Sequence, residues 1–395
     1  MISHLLPTPF RLFYLVLLFS PLFYRCIFVK ELQLVALFIP FFAYCLLSSC
    51  LHHYQSVSVD AYPFWRCWLL VCEALFTFGA AFTLRNQKHS AINGHIIRLY
   101  LIGFSFSLLL CLIGYCGFYL GKVSLATLHN YSIEAQDAYF LLRFSPGTYP
   151  NEYGIMTSFA LSILTLLCLA KKQSAPFALS PFLLCVLYGL AFIVLGLMTT
   201  RAAYLSFVLA MIYLVFSYSS FRLLAFLTLV IFFATKLFSP LFNAVRSISL
   251  TTGSSGARIA AWLQALTDFK RSPLFGSGWA TQIHVHNAYF QLVVELGLIG
   301  TLLMVIALSL QWAKTRSYPK KHFFLAKKEL KPFADHVIAI GLIHVLSFAL
   351  TNHNINHHLT WLILLLLIHR YLTASASKRE NKLGEKLKAC ALSSN

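Results

Sequence analysis

Apolar runs of about 18–22 residues recur along the chain, each long enough to cross a bilayer as a helix. In hydrocarbon every backbone N–H and C=O must be bonded within the protein, so such segments fold as helices packed on one another. The remaining composition agrees. Of the 395 residues 59% are hydrophobic and 11% charged, where a soluble domain has about 25% charged. The expectation is an all-α polytopic transmembrane helical bundle, with residues 1–395 forming a single integral membrane domain. Spans are expected near 10–29, 34–51, 64–84, 99–120, 153–170, 177–198, 202–218, 223–238, 288–312, 337–351 and 361–373, about eleven in all.

The formal net charge is +19. On a soluble protein that would suggest nucleic acid, but no nucleic-acid-binding motif is visible, and basic loops are the topological signature of membrane helices. The segments 171–176, 219–222 and 314–331 and the tail after Ser377 are basic and read as cytoplasmic. Arg25, Lys30, Arg85, Lys88 and Arg98 fit the same side. The opposite face then carries 52–63, 121–152, 199–201, 239–287 and 352–360, and an odd span count puts the N-terminus on that face. The first apolar run is too long for a signal h-region and has no A-x-A site, so it reads as a span. The ten cysteines lie mostly in apolar runs without a C-x-x-C pair, which predicts buried, inert thiols rather than disulfides or a metal site.

Polar residues that such a chain tolerates point to function. In "HVHNAYFQLVVELGLIG" (284–300), Asn287 is a good N-cap for the helix that follows. Asn287, Gln291 and Glu295 are spaced four apart and line one face of that helix. A polar stripe entering a bilayer must face protein or water. His286, just before the stripe, can act as a general base near neutral pH. Gly297 and Gly300 are expected to continue the helix and permit close packing.

The segment 239–287 is the longest outside the cytoplasm. It opens with Gly and Ser, where Ser254 or Ser255 can cap a short helix. Ile259, Trp262, Leu263, Leu266 and Phe269 share a face and predict an amphipathic helix on the membrane surface. Pro273 ends it and "GSGW" (276–279) makes a turn. Arg258 is expected in the first turn, where the helix dipole disfavours a cation unless an anion binds there. Arg201, in "LMTTRAAYLSF", lies between two apolar runs and should face a partner or a water-filled cavity, or else snorkel to the interface. Arg143, in "RFSPGTYPNEYG", adds positive charge beside tyrosines common at interfaces. His353 and His357 are four apart and can align on a helix, but no Cys or carboxylate stands near them. That favours a polar loop over a zinc site.

These residues give a resemblance to the bacterial O-antigen ligase and polymerase superfamily. "HNAYFQLVVELGLIG" (286–300) has His-Asn, nine residues, a Gly, and a second Gly three on. The arginines of "TTRAAYL" and "GARIAAW" resemble two that the family places at a helix end and in its long loop. The resemblance covers roughly residues 140–312. It implies a GT-C-like fold of about twelve spans, set in the inner membrane of a Gram-negative bacterium, with the active site facing the periplasm. The donor would be a glycan on undecaprenyl pyrophosphate and the acceptor lipid A–core, with no metal and no cofactor. In that reading His286, Arg258 and Arg201 are catalytic. Asn287, Gln291, Glu295, Arg246 and Arg143 bind substrate, and Arg246, Lys270 and Arg271 attract anionic lipid heads. The alternatives are a polysaccharide polymerase of the same superfamily and a non-catalytic polysaccharide transporter. A transporter would be expected to carry broken helices or midplane charges.

Overall fold

The computed structural model of the chain describes residues 89–129, 133–136, 141–146, 149–170, 179–198, 200–218, 253–279, 285–316, 333–350, 359–360 and 362–369, with Phe177 and parts of 40–48 and 73–84. The expected spans at 10–29 and 223–238, Arg246, His284, His353, His357 and most of the basic loops lie outside the described residues.

The helices are α1 (His89–Tyr119), α2 (Leu125–His129), α3 (Pro150–Leu169), α4 (Pro181–Met198), α5 (Arg201–Tyr218), α6 (Gly253–Arg271), α7 (Ala288–Arg316) and α8 (Phe333–Ala349). Five of them contain segments long and apolar enough to cross a membrane: Gly94–Tyr119, Pro150–Leu169, Pro181–Met198, Arg201–Tyr218 and Ala288–Ala307. The all-α polytopic bundle expected from the apolar runs is the fold found. α1 starts well before its expected boundary, because polar residues such as His95 and Arg98 fit on its exposed face. One small departure is a two-stranded antiparallel hairpin, β1 (Ile133–Gln136) with β2 (Leu141–Phe144), pairing Ile133 with Phe144 and Glu134 with Arg143.

Helix α3 is the central post, buried almost all round from Tyr153 to Leu166, as expected of a helix apolar on every face. α5 and α8 pack on it. Small and polar residues knit these three helices, since apolar side chains gain little from leaving lipid for protein. Ser158 Oγ lies 2.8 Å from His344 Nε2 and 2.9 Å from Ala203 O. Ser206 and Ser347 are hydrogen-bonded across α5 and α8. Gly154 lies against Thr200 and Ser158 against Ala203, so α3 and α5 run parallel; Tyr213 Oη lies 3.1 Å from His336 Nδ1 while Ser206 meets Ser347, so α8 runs against both. Cys45 and Cys111 are buried as expected, but Cys116, Cys168 and Cys185 are exposed. Their apolar helices turn those faces outward, so an apolar run alone did not imply burial within protein.

The largest correction concerns α7. Gly297 does not continue the helix: its φ of 64° and ψ of −169° interrupt it. The break frees backbone groups, and the segment 272–279 takes them. Ser277 and Gly278 donate their N–H groups to Val294 O (2.9 Å) and Glu295 O (3.0 Å). Leu298 and Ile299 donate to Pro273 O (3.0 Å) and Leu274 O (3.1 Å). Tyr44 donates its hydroxyl to Leu296 O at 3.1 Å. "GSGW" is therefore not a free surface turn. With residues 273–275 it lies along α7 about 9 to 16 Å from the start of that helix, at 1.5 Å of rise per residue. Non-helical backbone at such depth is tolerated where it is buried against protein.

Two left-handed glycines make this joint possible. Gly276 has a φ of 77°. A Cβ there would collide with the Glu295 carbonyl, and a Cβ on Gly297 would collide with the Leu274 carbonyl. In both cases the obstacle is main chain, which cannot rotate aside. Gly276→Ala and Gly297→Ala should each destabilise the protein by about 2 kcal/mol or more, as strain and overpacking combine. Thermal unfolding in detergent measures this, with Gly189→Ala as control, because a Cβ at Gly189 meets nothing within 4 Å.

Candidate active site

One end of the bundle gathers the sequence-predicted residues. Asn287 caps α7: its Oδ1 accepts from Phe290 N at 3.0 Å. Its Nδ2 donates to Leu350 O, just past the end of α8, at 3.2 Å. Tyr289 donates to Leu346 O at 3.4 Å. The start of α7 is thus fastened to the C-terminal end of α8. The start of α5 lies at the same end, because Ser206, one and a half turns after Arg201, pairs with Ser347. Arg201 is the first residue of α5, and its side chain is exposed.

Helix α6 forms as the amphipathic pattern predicts, but it begins at Gly253 and so places Arg258 in the second turn. The dipole penalty fades within the first turn, so it does not bear on Arg258. What does bear on it is the residue one turn later. Trp262 donates its indole N–H to Val285 O at 2.6 Å. The half-buried Arg258 therefore sits one turn before the side chain that holds the residue preceding His286. Ala265, Val285 and Val294 form a small buried cluster with Phe269 and Phe290. Leu263 is 62% exposed, on a face free to meet lipid.

His286 has a φ of 50°, and it is the one non-glycine residue with positive φ among those described. Such a conformation costs about 1–3 kcal/mol in a non-glycine residue and persists only where the surroundings hold it. Here they do. Val285 is held by Trp262 on one side, and Asn287 is committed to its cap on the other. Strain of this kind clusters at functional sites.

Gln291 and Glu295 follow one and two turns into α7, at 3% and 1% exposure. The expected polar stripe forms: Gln291 Nε2 donates to Glu295 Oε1 at 2.7 Å. That bond leaves Gln291 Oε1 buried with no hydrogen-bond partner among the described residues. Trp279 Nε1, a residue that sequence reasoning passed over, is in the same condition. Arg143 stands apart from the stripe. It is 2% exposed and tied to the turn between α4 and α5. Arg201, Arg143, His286 and Asn287 thus share one end of the bundle, with Arg258 joined to it through Trp262.

The described helices belong to a multi-pass helical membrane protein with arginines and a strained histidine at one end and a glycine-broken helix beneath them. Residues 183–305 match the family model described as O-antigen ligase. The matched stretch, about a third of the chain, contains Arg201, Arg258 and all of 286–300, and over that length the chain is similar to the O-antigen ligase family. No curated protein matches the chain.

The strain at His286 yields a test that separates stability from activity. Glycine adopts this backbone conformation freely. His286→Gly should therefore unfold at a temperature equal to or above that of the natural protein, and if the histidine is catalytic its activity is lost. A marked fall in unfolding temperature would mean that the histidine is kept for packing.

Proposed function

We propose that this protein is an O-antigen ligase, moving a glycan from undecaprenyl pyrophosphate to lipid A–core at the periplasmic face of the inner membrane. The observation that carries the reading is His286, strained and clamped between Trp262's hydrogen bond and the Asn287 cap, inside a segment matched by the O-antigen ligase family.

The chemistry follows from these groups. An acceptor sugar hydroxyl attacks the anomeric carbon of the donor. The new C–O bond forms as the bond to the phosphate oxygen breaks, and the hydroxyl proton passes to His286. A positioned base contributes about 10²–10⁴-fold. The leaving pyrophosphate gains charge, and Arg201 and Arg258 stabilise it with their planar, bidentate donors. Gln291 and Glu295, buried and bonded to each other, shape the wall beneath His286. Asn287 holds the helix start in place. Lys270, Arg271 and Arg246 attract anionic lipid heads.

A transporter is the reading from a different class, and a broken helix is one of its features. In a transporter the half-helix ends face the cargo. Here the groups freed near Gly297 bond to residues 273–278 and Tyr44, which favours a structural joint over an ion site.

Deleting the gene and running lipopolysaccharide on a gel tests the reading. A ligase leaves core without O-chain while long lipid-linked polymer accumulates. Core bearing a single repeat unit would mean a polymerase instead, and unchanged lipopolysaccharide would refute both. Re-expressing Arg258→Lys should restore little, with transfer reduced by about 10²-fold, because a point charge does not replace the guanidinium fork.

A further inference from the structure

Arg143 was expected to bind substrate, yet its guanidinium points into the protein. Nε donates to Met198 O at 2.6 Å, and Nη2 donates to Asn151 Oδ1 at 2.7 Å and to Thr200 Oγ1 at 3.0 Å. Met198 is the last residue of α4, and its carbonyl is among those a helix end leaves without an intrahelical partner. A cation there also complements the helix dipole. Asn151 lies in the first turn of α3, and Thr200 immediately precedes Arg201. One buried fork therefore ties β2 to three helix ends at once.

Thr200 is fixed from its other sides too. Its carbonyl accepts from Ala203 N at 3.0 Å and Tyr204 N at 3.2 Å, starting α5. Its side chain fills the space that a Cβ on Gly154 would need, coming within 2.7 Å of that position. Tyr204 closes the same turn by donating to Leu195 O at 3.0 Å. The backbone carrying Arg201 is thus set by groups that do not reach Arg201 itself. A buried arginine is costly unless such bonds satisfy it, so this arrangement needs a return.

We infer that Arg143 is a positioning residue: it holds the α4–α5 turn so that Arg201 meets the pyrophosphate, and does not touch substrate. This rests on the role proposed above for Arg201. Arg143 itself lies outside the matched residues 183–305, while Thr200 and Arg201 lie within them.

The test is a double-mutant cycle on the full-length protein in proteoliposomes, with a short-chain polyprenyl-pyrophosphate oligosaccharide as donor. Folded protein is quantified in each sample. Arg201→Ala should raise the donor KM. Arg143→Gln and Thr200→Val should do the same by about tenfold, while the acceptor KM holds. Thr200→Ser, which keeps the hydroxyl, should restore the natural value. Joined to Arg201→Ala, neither change should add a further loss, because both act through that residue. Losses that multiply in the double mutants would make Arg143 an independent contact and overturn the inference. So would a donor KM per folded molecule that Thr200→Val leaves unmoved, the outcome of a purely structural role. Full activity of Arg201→Ala would remove the arginine assignment itself, and with it Arg143's role. Absence of transfer by the natural protein would instead refute the proposed reaction.

Discussion

A polar backbone group cannot be left unbonded at membrane depth, and the rest of this structure turns on how that rule is met at Gly297. Breaking α7 exposes carbonyls on one side and amides on the other. Each unsatisfied group would cost several kcal/mol in hydrocarbon. The segment 272–279 meets them with its own main chain, two donors and two acceptors in register. Because the bonds are main chain to main chain, the docked segment has one position. That position anchors the end of α6, whose Trp262 reaches back to Val285. The strained geometry of His286 is thus fixed through a chain of contacts that starts ten residues deeper in the helix.

The second constraint sets where the arginines lie. α5 and α8 are locked by Ser206 and Ser347, and α8 is locked to α7 by Asn287 and Tyr289. Three helix ends therefore meet at one level. Arg201 opens one of them, and His286 stands just before the Asn287 cap of another. The proposed reaction, with arginines for a leaving pyrophosphate and a base for an incoming hydroxyl, would use this proximity, because orientation supplies much of a two-substrate rate.

Much of this was legible in the residues. Long apolar runs specify spans, and Asn287 caps its helix as its side chain predicts. The Gln291–Glu295 pair follows from four-residue spacing. The break at Gly297 was not legible, because its flanks read as continuous helix and the bonds that replace the helical ones come from main-chain atoms, which carry no side-chain signature. Gly276 gave the nearest hint, as a glycine in a turn, but nothing in its neighbours told what it packs against. Arg143 was misplaced for a related reason. Its acceptors are a helix-end carbonyl, an asparagine and a threonine, all distant in sequence, so a buried brace and a surface cation look alike on paper. The start of α6 at Gly253 rather than beyond the serines moved Arg258 by a turn and exchanged a dipole argument for a contact argument.

The proposed reaction joins a lipid-pyrophosphate-linked glycan to an acceptor lipid. Reconstituting the purified protein in liposomes with undecaprenyl-pyrophosphate-linked oligosaccharide and lipid A–core tests it most directly. Product and released undecaprenyl pyrophosphate should appear in equal amounts, and only when lipid A–core is present. Glycan chains lengthening on the undecaprenyl carrier without lipid A–core, or donor left intact in its presence, would contradict it.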